Sequence, residues 1–146
     1  MPHPISDLRA FLLGSWRTSR RIRDFRLGAC GRFEGQTIFQ PAADGLVQEE
    51  SGDLHFGAYR GGATRRYRIA IDPSGTAMVH HADGSPFHAL DLSSGTADIA
   101  HQCADDMYRG RYRVLHDNCF WVTWHVTGPR KQYRLVTRHV RSAPNA

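Results

Sequence analysis

The sequence has almost no lysine: of its 19 basic residues only Lys131 is not arginine. It also lacks long apolar runs, the longest being short stretches such as Phe11 to Leu13 and Phe120 to Val122, against the ~18 residues that a membrane-spanning helix needs. A helical membrane anchor is excluded. Cysteine is scarce and poorly placed for cross-linking, since Cys30, Cys103 and Cys119 are an odd number at wide spacings with no Cys-x-x-Cys pair. Neither a disulfide framework nor a zinc finger is expected, and the plain reading of the thiols is as small, reduced, buried fillers. The start, Met-Pro-His-Pro and then Asp7 ahead of any apolar run, does not carry the basic, apolar and small-residue sections of a signal peptide. A cytoplasmic location is expected.

What is present is an ordinary globular balance, with 40% hydrophobic and 23% charged residues over 146 positions. This excludes a disordered, collagenous or coiled-coil chain. The length suits a single domain burying roughly two thirds of its unfolded surface, assigned here to residues 1–141 with a frayed tail at 142–146. The formal charge of +5 is carried by arginine, the side chain suited to bidentate contact with carboxylate or phosphate, so an anionic partner is in keeping with it.

One helix is expected, from Ile5 to Gly14, with Ser6 as N-cap, Asp7 at the positive end and Gly14 as the stop. Ile5, Leu8, Phe11 and Leu12 recur at helical spacing, giving it one apolar face. Beyond it the period drops to two. About ten short alternating segments follow, near Trp16–Asp24, Gly31–Pro41, Leu46–Phe56, Thr64–Asp72, Thr76–His81, Phe87–Leu92, Thr96–Cys103, Tyr108–His116, Phe120–Thr127 and Lys131–Val140. Asp72-Pro73-Ser74-Gly75, Asp83-Gly84 and His116-Asp117-Asn118 write tight turns between them. Without a second helical pattern there is no βαβ unit and no parallel sheet.

An antiparallel meander of about ten strands in so small a domain hides its edges most cheaply by closing, so the expected fold is an all-β, up-and-down antiparallel barrel with a short N-terminal helix. Alternation assigns the faces. Tyr108, Gly110, Tyr112 and Val114 face inward while Arg109, Arg111 and Arg113 face water; Tyr133, Leu135 and Thr137 oppose Arg134 and Arg138; Phe33, Gly35, Thr37 and Phe39 oppose Arg32, Glu34 and Gln36. Val122, Trp124 and Val126 are placed in the lumen, with Trp121, Thr123 and His125 outside.

Leu12-Leu13-Gly14-Ser15-Trp16, a helix running into Gly-x-Trp on the first strand, resembles the opening signature of the lipocalin-like, or calycin, barrels. That resemblance implies a tryptophan at one end of the barrel packed against a late arginine, here Arg138 or Arg141. The segments Gly31–Gly35, Ala82–His88, Tyr108–Tyr112 and Val126–Tyr133 are similar to those of a bacterial family of single-domain, lipocalin-like proteins of unknown function. This likeness spans nearly the whole chain and implies a fold without an activity. Gln132 stands where the resemblance implies an acidic residue or its amide, a departure that leaves Lys131 freer.

Chemistry is sought at the open end of the cavity. His101 and Cys103 share a face with Ile99, and Asp106 and Tyr108 open the next strand. His-x-Cys lacks further ligands for a metal, and two side chains two apart on a strand sit about 7 Å apart at their Cα atoms, too far for a nucleophile and base. A buried His bonded to a tyrosine is the plainer reading. Of the neighbours His80 and His81 only one can reach the lumen, and with His88 they leave a haem-binding barrel as an alternative. Arg20 shares the inward face of Trp16, Thr18 and Ile22, so its charge must be paired, by Glu49 or Glu50 or by a ligand anion. Nucleic-acid binding is not expected, because Tyr108 and Tyr112 lie opposite the arginine row Arg109, Arg111 and Arg113 rather than beside it.

The resulting expectation is a barrel that binds a small, partly apolar, anionic molecule through Arg20, Phe87, His101, Tyr108, Tyr112, Trp124, Lys131 and Tyr133, with no metal, cofactor or membrane partner. The competing readings are a cavity enzyme, with His101 as general base and Tyr108 or Lys131 steadying negative charge, and a protein-interaction module. No oligomeric state follows.

Overall fold

The computed structural model describes residues 1–143. After helix α1 (Leu8–Leu12) come β1 (Gly14–Asp24), β2 (Ala29–Ala42), β3 (Gly45–Phe56), β4 (Tyr59–Ile71) and β5 (Ala77–His81). The chain continues through β6 (Pro86–Leu90), β7 (Thr96–Cys103), β8 (Asp106–His116), β9 (Cys119–Thr127) and β10 (Gln132–Arg141). Every paired neighbour is antiparallel, and the first strand pairs with the last, Trp16 opposite Arg141 through Asp24 opposite Tyr133. The sheet runs β6-β5-β4-β3-β2-β1-β10-β9-β8-β7. The two ends of that order, β6 and β7, meet at the one unpaired seam of a nearly closed barrel.

The inner and outer rows fall as alternation predicts: Phe33, Thr37, Val114, Val122, Val126 and Thr137 are buried, while Arg109, Arg111, Arg113, Arg134 and Arg138 are exposed. Strand bending is eased where Gly35 stands opposite Gly52. A Cβ on Gly35 would lie 2.1 Å from the Ser51 carbonyl oxygen and one on Gly52 2.4 Å from that of Glu34, so this corner of the barrel excludes any side chain.

Helix α1 closes one end of the barrel. Leu8, Phe11 and Leu12 bury one face against Trp16, Leu46, Ile69 and Phe120, as their spacing predicts. The helix is shorter than the sequence suggests and its N-cap is Asp7, not Ser6. The Asp7 carboxylate accepts a bond from the Ala10 amide at 3.0 Å, and its charge also suits the helix dipole. Ahead of the helix the backbone crosses toward the seam, the His3 amide donating to Val114 O at 2.9 Å and that of Ile5 to Leu92 O at 3.1 Å. Trp16 is wholly buried, with its indole N–H donating to Leu12 O at 2.8 Å.

The late arginine over Trp16 is Arg141, its guanidinium 4.2 Å from the ring; Arg138 lies outside, over Trp121. Arg141 also donates to Phe11 O at 2.7 Å and Leu13 O at 3.1 Å. It therefore satisfies carbonyls left free at the helix C-terminus.

Two further expectations need correction. Cys30 and Cys103 are exposed and only Cys119 is buried, because Cys30 falls on the outer face of β2 and Cys103 at the turn leaving β7. Strand β4 begins at Tyr59 rather than Thr64, since the ladder to β3 continues through Gly61 and Gly62 despite their poor strand propensity. Of the tail expected at 142–146, residues 144–146 lie outside the described residues, while the Ser142 amide donates to Ser15 O at 2.9 Å.

Candidate functional site

Midway along the lumen three charged side chains meet. Arg20, only 7% exposed, donates from both terminal nitrogens to Glu50, 2% exposed, at 2.6 Å each, and from Nε to the Thr137 hydroxyl at 2.8 Å. The partner is thus Glu50; Glu49 faces outward and pairs with Arg66. A second arginine, Arg65, stands opposite Glu50 across the β3–β4 ladder and donates from Nε at 3.0 Å to Oε1, the oxygen that also accepts from Arg20. Burial by itself would raise the Glu50 carboxyl, but the Arg20 hydrogen bonds and the two guanidinium charges outweigh it and hold the pKa down to about 2. Two cations share one anion, leaving one positive charge in excess. Arg65 is 40% exposed, and its terminal nitrogens find no acceptor among the described residues, so it is the group with donors to spare.

Around this cluster the lumen is aromatic. The ring of Phe87 stacks on Trp124 at 5.1 Å and on His81 at 4.5 Å, interplanar angles 18° and 20°, and lies 6.3 Å from Tyr67. Trp124 in turn lies flat over Gly110, where a Cβ would meet its ring at 2.6 Å; the row Tyr108, Gly110, Tyr112 leaves that gap on purpose of packing. Phe87 and His88 both turn inward although they are consecutive. The β5–β6 register shifts there, His88 opposing Val79 and Pro86 opposing His80, so Phe87 is the extra residue of a bulge that re-aims it.

Two imidazoles are buried neutral. Burial lowers the pKa of His88. Burial also drives that of His139 down to about 3, against the pull of Glu50 and with the help of Arg20 and Arg65. The His139 ring stacks on Phe120 at 4.5 Å and its Nδ1 meets the Thr18 hydroxyl at 3.2 Å. Unfolded, these histidines take a proton below about 6.5; folded, they resist it. Their contribution to stability is therefore full above pH 6.5 and declines as pH falls from there, for His139 toward 3. Urea midpoints measured from pH 7.5 to 4.5 should fall steadily, and His139→Gln should flatten the decline; a wild-type midpoint independent of pH over this window would contradict the buried, neutral state.

Of the residues singled out in the sequence, Arg20, Phe87, Tyr112 and Trp124 line one cavity, together with Glu50, Arg65, Tyr67, His88 and His139. The enclosed volume is about 40 Å³, room for a few waters and far below the roughly 300 Å³ of the smallest usual ligand pockets. His101, Tyr108, Lys131 and Tyr133 stand apart from it, at the open end. There Lys131 is not free: its ammonium lies 3.2 Å from Asp106, a carboxylate at the start of β8 rather than at position 132, and that hydrogen bond raises the lysine pKa. Burial, with Tyr108 beside it, pushes the Tyr133 phenol up to about 12. His101 is partly exposed rather than buried, its ring 6.3 Å from that of Tyr108, because β7 borders the seam. The sequence reading missed Arg65 and Tyr67, although both share the parity of buried Ile69.

A single chain closed as a ten-stranded meander, stoppered by an N-terminal helix and a Gly-x-Trp strand under a late arginine, is a lipocalin-like barrel of unknown function. More particularly, the chain belongs to the family of unknown function DUF6314, whose model matches residues 12–141. No curated protein matches it. Among solved structures it is similar to the S-type phycobiliprotein lyase CPES from Guillardia theta, with a TM-score of 0.58, 10% identity, and 98% of this chain and 95% of that chain covered. It is also similar to a protein of unknown function of the DUF3598 family from Nostoc punctiforme PCC 73102, with a TM-score of 0.51, 12% identity, and 96% of this chain and 51% of that one covered. At these identities the likeness concerns the fold.

Proposed function

We propose that this protein binds a small, partly apolar, anionic molecule in its barrel cavity. The observation that carries the reading is the unbalanced charge in an aromatic lumen: Arg20 and Arg65 face Glu50 alone, and Arg65 lines the same cavity as Tyr67, Phe87 and Trp124. A ligand carboxylate or phosphate would take up the donors that Arg65, 40% exposed, does not spend on Glu50. In this reading Arg20 braces Glu50, Tyr112 and Trp124 supply apolar contact, Phe87 occupies the lumen of the free protein, and His101, Tyr108, Lys131 and Tyr133 form the rim through which the ligand passes. The reading of a cavity enzyme draws less support, since His101 stands outside the cavity and no carboxylate among the described residues orients it. A haem would require far more room than the lumen gains by moving one side chain.

The test is a calorimetric titration with two acids, 2-naphthoate and decanoate, and their neutral counterparts, 2-naphthylmethanol and decanol. At least one acid should bind ten times more tightly than its alcohol, and Arg65→Met should remove that preference. The variant keeps the Arg20–Glu50 pair, so its fold is retained. Binding of none of the four, or a preference for the acid undiminished in Arg65→Met, would overturn the proposal.

A further inference from the structure

The lumen is full, and what fills it is a ring on a detachable support. Phe87 lies nearly parallel to two neighbouring rings, His81 and Trp124, while His101 and Tyr108 meet it edge-on at 5.5 and 6.0 Å. These rings outline a place for one flat aromatic ring. Its walls are unlike an ordinary core, because imidazole and phenol groups offer hydrogen bonds at the ring's edge that a phenylalanine has no polar atom to use. Meanwhile Phe87 is held weakly. Strand β6 has five residues, pairs only with β5, ends the sheet, and carries Phe87 at its bulge next to Pro86, which has no amide hydrogen to donate. On the other side the seam to β7 has no ladder to break. Short, singly paired edge elements of this kind are the part of a barrel that opens at least cost.

Resting on the ligand-binding reading above, we propose that the cavity's guest is a planar aromatic acid whose ring replaces Phe87 beside His81 and Trp124 and whose acid group reaches Arg65. In the free protein Phe87 stands in for that ring and keeps the slot from collapsing or filling with water. On binding, β6 yields at the seam, Phe87 swings out, and the guest inherits both stacking faces together with the edge contacts to His101 and Tyr108. The path from slot to charge is continuous, since Tyr67 lies 6.3 Å from the Phe87 ring and the Arg65 guanidinium 5.6 Å from that of Tyr67. The slot selects flat molecules, because a flexible acyl chain stacks poorly on aromatic faces.

The experiment compares 2-naphthoate with decanoate by calorimetry on the wild-type chain, Phe87→Ala, Phe87→Leu and the double variant Phe87→Ala/His81→Ala. If Phe87 is the stand-in, Phe87→Ala binds 2-naphthoate at least tenfold more tightly than wild type, because no ring has to be expelled. Phe87→Leu, which leaves less of an opening but preserves a branched apolar side chain for folding, shows a smaller gain in the same direction. Removing the His81 wall reverses most of the gain, and decanoate binds at least tenfold more weakly than 2-naphthoate throughout. Equal or weaker naphthoate binding in both position-87 variants would overturn the stand-in role. Decanoate binding as tightly as 2-naphthoate would overturn the planar slot while leaving the anion-binding function intact, whereas failure of both acids with every chain would remove that function as well.

Discussion

Replacing Glu50 with alanine is expected to cost about 3–5 kcal/mol of folding stability, the usual penalty for stranding one member of a buried ion pair. Glu50 is nearly inaccessible and accepts three hydrogen bonds, two from Arg20 and one from Arg65. Without it the Arg20 guanidinium, itself 7% exposed, retains only the Thr137 hydroxyl and repels Arg65 across a water-poor lumen. The double change Arg20→Met/Glu50→Leu should recover most of the loss, because it removes the charge along with its partner. The pH dependence provides a second readout. The Glu50 carboxyl, held near 2 instead of the ordinary 4.5, contributes its full stability above about 4.5 and loses it as pH falls from there toward 2. Glu50→Gln should therefore be destabilised at pH 7 yet approach wild type near pH 2. Urea unfolding at both pH values checks this, and an Ala variant within about 1 kcal/mol of wild type at pH 7 would contradict the pairing.

Trp16→Ala should cost a comparable amount, about 3–5 kcal/mol, through loss of a large buried ring and the cavity it leaves. Its position makes the damage directional. The ring packs against Phe11 at 5.4 Å and Phe120 at 4.9 Å, its N–H holds the last turn of α1, and its face carries the Arg141 guanidinium that in turn binds Phe11 O and Leu13 O. The helix that stoppers the barrel is thereby tied to β1 and β10 through one side chain. Hydrogen exchange should show the Ile5 and Phe11 amides losing protection before those in the β2–β3 ladder. Trp16→Phe, which keeps an aromatic face but forfeits the N–H bond, should lose less. Uniform loss of protection across the sheet would mean that the stopper and the barrel unfold as one unit.

How far these features could be read in advance depends on whether they obey the strand period. The arginine row Arg109, Arg111 and Arg113 against Tyr108, Gly110, Tyr112 and Val114 is unambiguous, and the same parity puts Arg20 inside, where its charge needs Glu49, Glu50 or a ligand anion. The choice between Glu49 and Glu50 needed the register, since neighbours face opposite ways and a shift of one residue exchanges them. Arg65 was overlooked because it sits among Arg66, Arg68 and the glycines 61 and 62, where charge and lack of side chains mask the alternation that Tyr67 and Ile69 continue. Phe87 is expected in the cavity, but a bulge that turns both Phe87 and His88 inward has no period to betray it. Lys131 was assigned too little company because its carboxylate comes from Asp106, at the start of β8.

The sequence by itself determined the all-β meander, the N-terminal helix, the faces of β1, β2, β8 and β10 and the need for an anion beside Arg20, because each follows from local periodicity and the cost of burying charge. Only the tertiary structure decided which carboxylate meets Arg20, that a second guanidinium leaves the lumen one positive charge in excess, where the barrel fails to close, and that its cavity is nearly filled by Phe87. These are relations between β1 and β3, β3 and β4, β6 and β7, or β6 and β9, set by ladder register and by the space remaining when side chains from distant strands pack together. No local pattern in one strand encodes the distance to another.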